Sequence, residues 1–373
     1  MVLLVGVLSF LSYHISRIVR FRSAPRFEVY PLSGIEAQVR RLDNAIYRAL
    51  LRLGVQVDGV TFKSIEERRA GENEWDFVTI EVRLPRPILI DTLEESFEKQ
   101  FESVSSGIRL KARPLSPHSN TLDIYLGRFP THRVIFVYIP ERELKLSPVP
   151  VLPQVAIVVD DMGYDLHLAN RFFSLKDVKS FSILPYSPYR FEIANAAHER
   201  GFEVLLHLPM EPLEYPKIDP GPGALLCSMT PGEFLDVLDK DLNNVPYIVG
   251  VNNHMGSRLT EDPERVRQIF TILKRRGLFF LDSRTTKKTK CREVARSLKL
   301  RFGEREVFLD HVLDTHAIQL QIKRLVNMAQ TKGSAIGIAH PHEITYQVLK
   351  AELPEVKKHV ALVSVSQLVK VSP

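Results

Sequence analysis

Asp160 and Asp161 stand side by side at the end of the apolar run that begins at Val155, and Met162-Gly163 follows them. Adjacent carboxylates repel, and successive strand residues point to opposite sides, so the pair implies either a cation or two separate tasks. One can hold a divalent metal while the other takes a proton; otherwise one caps the next helix and the other is solvated. His207 ends the run from Glu203, and Asn252-Asn253-His254-Met255-Gly256-Ser257 ends the run from Ile248. A carboxylate with two neutral imidazoles is a common ligand set for zinc and similar divalent ions, so Asp161, His207 and His254 form the candidate metal site. Asn252, Asn253 and Ser257 are expected to orient an imidazole or hold sugar hydroxyls. Pro209 and Pro212 are expected to stop the strand after His207 and shape a rigid turn lining the cleft. His340-Pro341-His342 places two imidazoles on one short turn, to serve as a general acid, as a ligand, or as a polar loop. Asp282, beside Ser283, and Asp310, beside His311, end other strands and are expected to fix a histidine tautomer.

These residues need a scaffold that gathers strand ends. From 154 to 373 apolar strands alternate with helical patterns: strands at 155–159, 180–184, 203–206, 248–251, 278–281, 298–302, 335–339 and 361–365, with helices such as 263–276 and 317–330 between them. Parallel strands require such crossovers, and a series of this length predicts an α/β fold, a closed or nearly closed (β/α) barrel with its cleft at the C-terminal strand ends. Residues 28–140 read differently: a helix at 35–53, two strands, a helix at 90–101 and three strands predict a small α+β sandwich with two helices on one face of a sheet. Residues 141–153 are a proline-rich linker.

The whole chain is long enough for two domains: 373 residues, with the apolar and charged fractions of a globular protein. Fifty Lys and Arg face forty-four Asp and Glu, a net charge of +6. The charges look interleaved, as in Glu66-Glu67-Arg68-Arg69, and no basic stripe with aromatics argues for nucleic acid, although polyanionic cell-wall material is compatible with them. Cys227 and Cys291 are the two cysteines, which excludes a disulfide framework and a cysteine zinc site but fits either one bridge or two buried thiols. Residues 1–22 open with the apolar run Val2–Leu11 followed by Arg17, Arg20 and Arg22, read either as a signal or membrane-anchor segment, which places the protein in the cell envelope, or as a buried helix. GxSxG, Walker and GxGxxG motifs are absent, so serine hydrolase, nucleotide-phosphate and Rossmann chemistry have no support.

In order, VVDDMG, HLPMEP, NNHMGS, LDS and AHPH resemble the divergent polysaccharide deacetylase family over residues 153–370. The resemblance implies a distorted (β/α) barrel, a glycan substrate and metal-dependent removal of N- or O-acetyl groups, with Asp160 as base, Asp161 and His207 as ligands and His340 or His342 as the late general acid. Ordinary members take a second histidine four residues after the first; here that place is Glu211, so His254 is favoured as third ligand and Glu211 is the alternative. Two other readings are a silent glycan-binding or scaffold protein of the envelope and a metal hydrolase of another ester or amide.

Overall fold

The computed structural model describes residues 35–55, 59–71, 73–84, 88–101, 104–105, 107–116, 118–138 and 152–371. The apolar N-terminal run and all but the end of the proline-rich linker lie outside them. No helix among the described residues is long and apolar enough to cross a membrane. The chain divides into two compact units, the first made of Val29–Pro153 with Asp310–Gly333, the second built on Gln154–Leu309 and Ser334 onward.

In the first unit, helix α1 (Ile35–Arg52) is followed by strands β1 (Val60–Ala70) and β2 (Asn73–Leu84), helix α2 (Ile90–Phe101), and strands β3 (Ile108–Ser116), β4 (Ser119–Leu126) and β5 (Phe129–Tyr138). The sheet order is β1-β2-β5-β4-β3, antiparallel except for β2 with β5. Leu42, Ile46 and Leu50 recur at helical spacing on α1 and pack with Phe97 of α2 against Ile80, Leu122, Ile124 and Phe136. Each such side chain contributes roughly 1.5–3 kcal/mol through burial.

The second unit runs β6 (Gln154–Met162), α3 (Leu166–Ser174), β7 (Ser180–Ile183), α4 (Arg190–Glu199), β8 (Glu203–Met210), α5 (Pro231–Asn244), β9 (Ile248–Met255), α6 (Pro263–Arg275), β10 (Phe279–Asp282), α7 (Cys291–Leu298), β11 (Arg301–Glu304) and β12 (Val307–Phe308). Helix α8 (Thr315–Lys332) leads to β13 (Ser334–Ala339), α9 (Glu343–Val356), β14 (Ala361–Leu362) and β15 (Lys370–Val371). Helix α8 connects the parallel neighbours β12 and β13, as a barrel crossover should, but its Leu320 packs into the core of the first unit.

The large sheet has the order β12-β13-β6-β7-β8-β9-β10-β11-β15, with β14 beside β6. It curls until its ends meet. Ala156, Val158, Leu205, Phe279, Leu281, Ile336 and Ile338 share one interior cluster, and a Cβ on Gly303 of β11 would come within 3.2 Å of Ile336 on β13. The ladder does not close between β11 and β13, so the architecture is a distorted (β/α) barrel.

Two strands run further than their sequence suggests. Strand β8 continues through His207 and Pro209 to Met210, paired with β9 up to Met255. The proline is tolerated because β7 stops opposite Leu206, which leaves β8 an edge on that side. The carbonyl of Pro209 accepts a hydrogen bond from Leu225 N at 2.9 Å. His207 and His254 therefore both sit on strands. Cys227 and Cys291 are both free thiols.

Candidate metal centre

Strand alternation places Ala156, Val158 and then Asp160 toward the barrel interior, and would send Asp161 the other way. The chain instead breaks register between Val159 and Met162, with Asp161 at φ +53°. Left-handed backbone at a non-glycine residue is costly and persists where the surroundings hold it. Here it turns both carboxylates to one imidazole: His207 Nε2 lies 3.0 Å from Asp161 Oδ1 and 3.9 Å from Asp160 Oδ2. Gly163 allows the following turn, for a Cβ there would fall 1.8 Å from Ser187 Oγ.

His207 and His254 reach the same point from adjacent strands. His254 Nδ1 is 2.9 Å from Asp161 Oδ1 and 3.2 Å from His207 Nε2. The three groups are nearly sealed, with 3 % or less of each residue exposed. Despite these short distances, neither oxygen of Asp161 has a well-angled hydrogen-bond donor. Converging ligand atoms from one carboxylate and two imidazoles, all buried, with both carboxylate oxygens lacking a well-angled donor, fit a divalent cation. Burial pushes the Asp161 carboxyl up, but the charge of His254 and the close approach of both imidazoles outweigh it and hold Asp161 well below the ordinary carboxylate range.

Asn252 organises this cluster. Its Oδ1 accepts from His207 Nδ1 at 2.9 Å and from the Ser182 hydroxyl, and its Nδ2 donates to Asp160 Oδ1 at 2.8 Å. That network assigns the proton of His207 to Nδ1 and leaves Nε2 as the ligand atom. Burial raises Asp160, more than the charges of His207 and His340 lower it. His207 is raised as well: burial disfavours its charge, but Asp160 and Asp161 overcome that.

The residues expected at the substrate or behind an imidazole are all buried, and Asn252 orients the His207 imidazole as expected. Asn252 is fully buried and orients the site from within. Asn253 accepts from Ser283 N at 2.8 Å and donates to Met255 O at 2.7 Å, and Ser257 Oγ accepts from Leu213 N at 2.9 Å. All three are buried and hydrogen-bonded within the barrel. Asp282 Oδ1 accepts from Arg284 N at 2.7 Å and its Oδ2 from Thr289 Oγ1 at 2.8 Å, so it shapes a loop where an imidazole contact was expected. Asp310 is buried at the start of the segment that clusters with the first unit. Glu211 accepts from Cys227 N at 2.5 Å and pairs with Arg258 at 3.2 Å; it staples the loop after β8 and is not among the three converging ligand groups. Burial and Glu211 together push the Cys227 thiol up to about 11.

His340 is half-buried at the end of β13, close enough for its charge to act on Asp160. His342 is the N-cap residue of α9, and its N–H donates to His340 O at 2.8 Å. The imidazole of His340 stacks on Phe308 with ring centres 5.7 Å apart, and the Arg305 guanidinium covers Phe308 at 3.7 Å. Arg305 also donates to Ser283 O at 2.7 Å and Arg284 O at 2.9 Å. Nothing in the sequence marks Arg305, which lies in the charged run Glu304-Arg305-Glu306, or Ser182, a small residue inside a strand.

The model of the divergent polysaccharide deacetylase family matches residues 157–369, more than half of the chain and the whole of the site. The chain belongs to this family. Two relatives are 36% identical over 60% of this chain and 70% of their own length, in the uncharacterized protein YibQ of Escherichia coli, and 35% identical over 58% and 76%, in an uncharacterized protein of Haemophilus influenzae. The solved structure of an uncharacterized Agrobacterium tumefaciens protein matches with a TM-score of 0.56 at 24% identity, over 60% of this chain and 92% of that one, a likeness of fold. The divergent deacetylase match spans every strand that carries Asp160, Asp161, His207, His254 and His340.

Proposed function

We propose that the barrel is a metal-dependent hydrolase that removes acetyl groups from an N- or O-acetylated glycan of the cell envelope. The observation that carries this reading is the convergence of Asp161, His207 and His254 on one buried point, beside a second carboxylate. Two imidazoles and a carboxylate favour zinc. The bound cation supplies Lewis acidity to an acetyl carbonyl and lowers the pKa of a water. Asp160 takes the proton: the Asn252 amide fixes one of its oxygens, and its raised pKa makes it a stronger base than an exposed aspartate. His340, braced by Phe308 and Arg305, delivers a proton to the leaving amine or alkoxide, with His342 as the neighbouring imidazole. The envelope location rests on the apolar N-terminal sequence.

The test is acetate release from acetylated chitooligosaccharides and peptidoglycan fragments by zinc-loaded protein. Asp160→Asn is expected to keep zinc and lose about 100-fold or more in rate. Failure of zinc-loaded wild type to release acetate from any acetylated glycan would favour a silent binding protein.

A further inference from the structure

The sheet of the first unit has two faces, and its hydrophobic core occupies one. Ile80, Val82, Leu122, Ile124, Val134 and Phe136 point to the helices, so the alternate positions point away. On strand β3 those positions are Arg109, Lys111 and Arg113, all exposed. They stand about 7 Å apart along the strand. Register carries the row inward: Lys111 is opposite Asp123, Asp123 opposite Arg133, and Arg133 beside Thr79 of β2.

Carboxylates on this face are outnumbered. Asp123 is shared by Arg133 at 2.6 Å and Arg113 at 3.2 Å, and these two side chains remain 39% and 50% exposed. Glu81 is shared by Lys63 at 2.7 Å and Arg83 at 3.7 Å, which remain 47% and 52% exposed. Glu66 and Arg68 pair with each other. Seven cations thus meet three carboxylates, an excess of four on one sheet face in a chain whose total excess is +6.

We propose that this face binds an acidic polysaccharide, a polymer that repeats carboxylate or phosphate along its length. Charge complementarity favours a polyanion. Tyr125 is half-buried, while Phe77 and Trp75 are buried, so the face offers no series of open rings for stacked bases. Ile135 and Val137 are half-buried between the charged rows and do not project as membrane anchors would. Only the choice of glycan among polyanions rests on the deacetylase reading of the barrel.

The experiment is a binding titration of the full-length protein with polygalacturonate, with dextran as the neutral control and an oligodeoxynucleotide and phosphatidylglycerol vesicles as competing polyanions. Wild type is expected to bind polygalacturonate, to lose it as salt rises, and to ignore dextran. The combined variant Arg109→Ser, Lys111→Ser and Arg113→Ser is expected to bind at least about tenfold more weakly, and Lys111→Gln alone a few-fold. Removing three charges elsewhere, by Lys274→Ser, Arg275→Ser and Lys370→Ser, is expected to change little. Equal binding by the two triple variants, or no polygalacturonate binding by wild type, overturns the proposal; tighter capture of the oligonucleotide or vesicles would overturn the glycan assignment. Asp161→Ala is expected to retain the binding in full, so failure of the barrel chemistry and failure of this surface are separate results.

Discussion

Asn252 holds both the imidazole that would bind metal and the carboxylate that would take the proton. Removing its side chain in Asn252→Ala leaves His207 Nδ1 and Asp160 Oδ1 without that partner. Zinc affinity is expected to fall about 10- to 100-fold in a chelator-competition titration, and an unchanged affinity would show that the ring is oriented by other means. The residue types themselves were legible: Asp160, Asp161, His207 and His254 each close an apolar run, and strand ends of a barrel converge. What each neighbour does was not legible, because it depends on cross-strand register. Asn252 lies opposite His207, whereas Asp282 meets its own loop at Arg284 and Thr289. The left-handed backbone at Asp161 left no mark in the sequence either, since nothing local requires it.

The elements around the site carry polar groups that the proposed chemistry does not use. Helix α5 buries Asp241 completely, both of its oxygens lack a well-angled donor, and the backbone of Gly223, at φ +80°, packs so closely that a Cβ would fall 2.6 Å from Oδ1. Burial pushes this carboxyl up to about 8, and the Tyr186 hydroxyl pulls it back only in part. Above the ordinary carboxylate pKa the unfolded chain has released a proton that the folded protein keeps. Stability therefore falls as pH rises from about 4 toward the folded pKa, by up to ~1.4 kcal/mol per unit. Asp241→Asn cannot ionise and is expected to stabilise the protein more at alkaline than at acid pH, by on the order of 3 kcal/mol between about pH 5 and pH 8. Thermal melts across that range check it, and a gain independent of pH would contradict it. Strand existence was readable from apolar runs, but the ends of β8 and β9 were not, because a proline such as Pro209 stops a strand only where a neighbour needs the N–H that it lacks.

At the scale of the whole molecule, helix α8 shows how far periodicity reaches. Its pattern announced a helix between two barrel strands, yet the partner of its buried face is the sheet of the first unit. Arg324 on α8 pairs with Asp76 at 2.6 Å and lies 3.9 Å from Asp43, which is bonded to His132 at 2.6 Å. Arg324→Ala removes the partner of the part-exposed Asp76 and a nearby charge of the buried Asp43, and is expected to cost about 1–2 kcal/mol in urea unfolding. Hydrogen exchange should rise across 315–332 while strands β6 and β8 keep their protection; equal protection of α8 in both proteins would show that the pair does not secure the helix. The cationic face was hidden for a related reason. Arg109, Lys111 and Arg113 alternate with apolar residues along one strand, so in sequence they read as an ordinary solvated edge, and only the sheet order sets them on one face with Arg133 and Arg83.

Elemental analysis of the purified protein after zinc loading tests most directly whether Asp161, His207 and His254 hold a metal. One zinc per chain in wild type, lost in Asp161→Ala and in His207→Ala while both variants remain folded, is the expected result. Wild type that holds no metal after loading, or variants that hold as much as wild type, would contradict it.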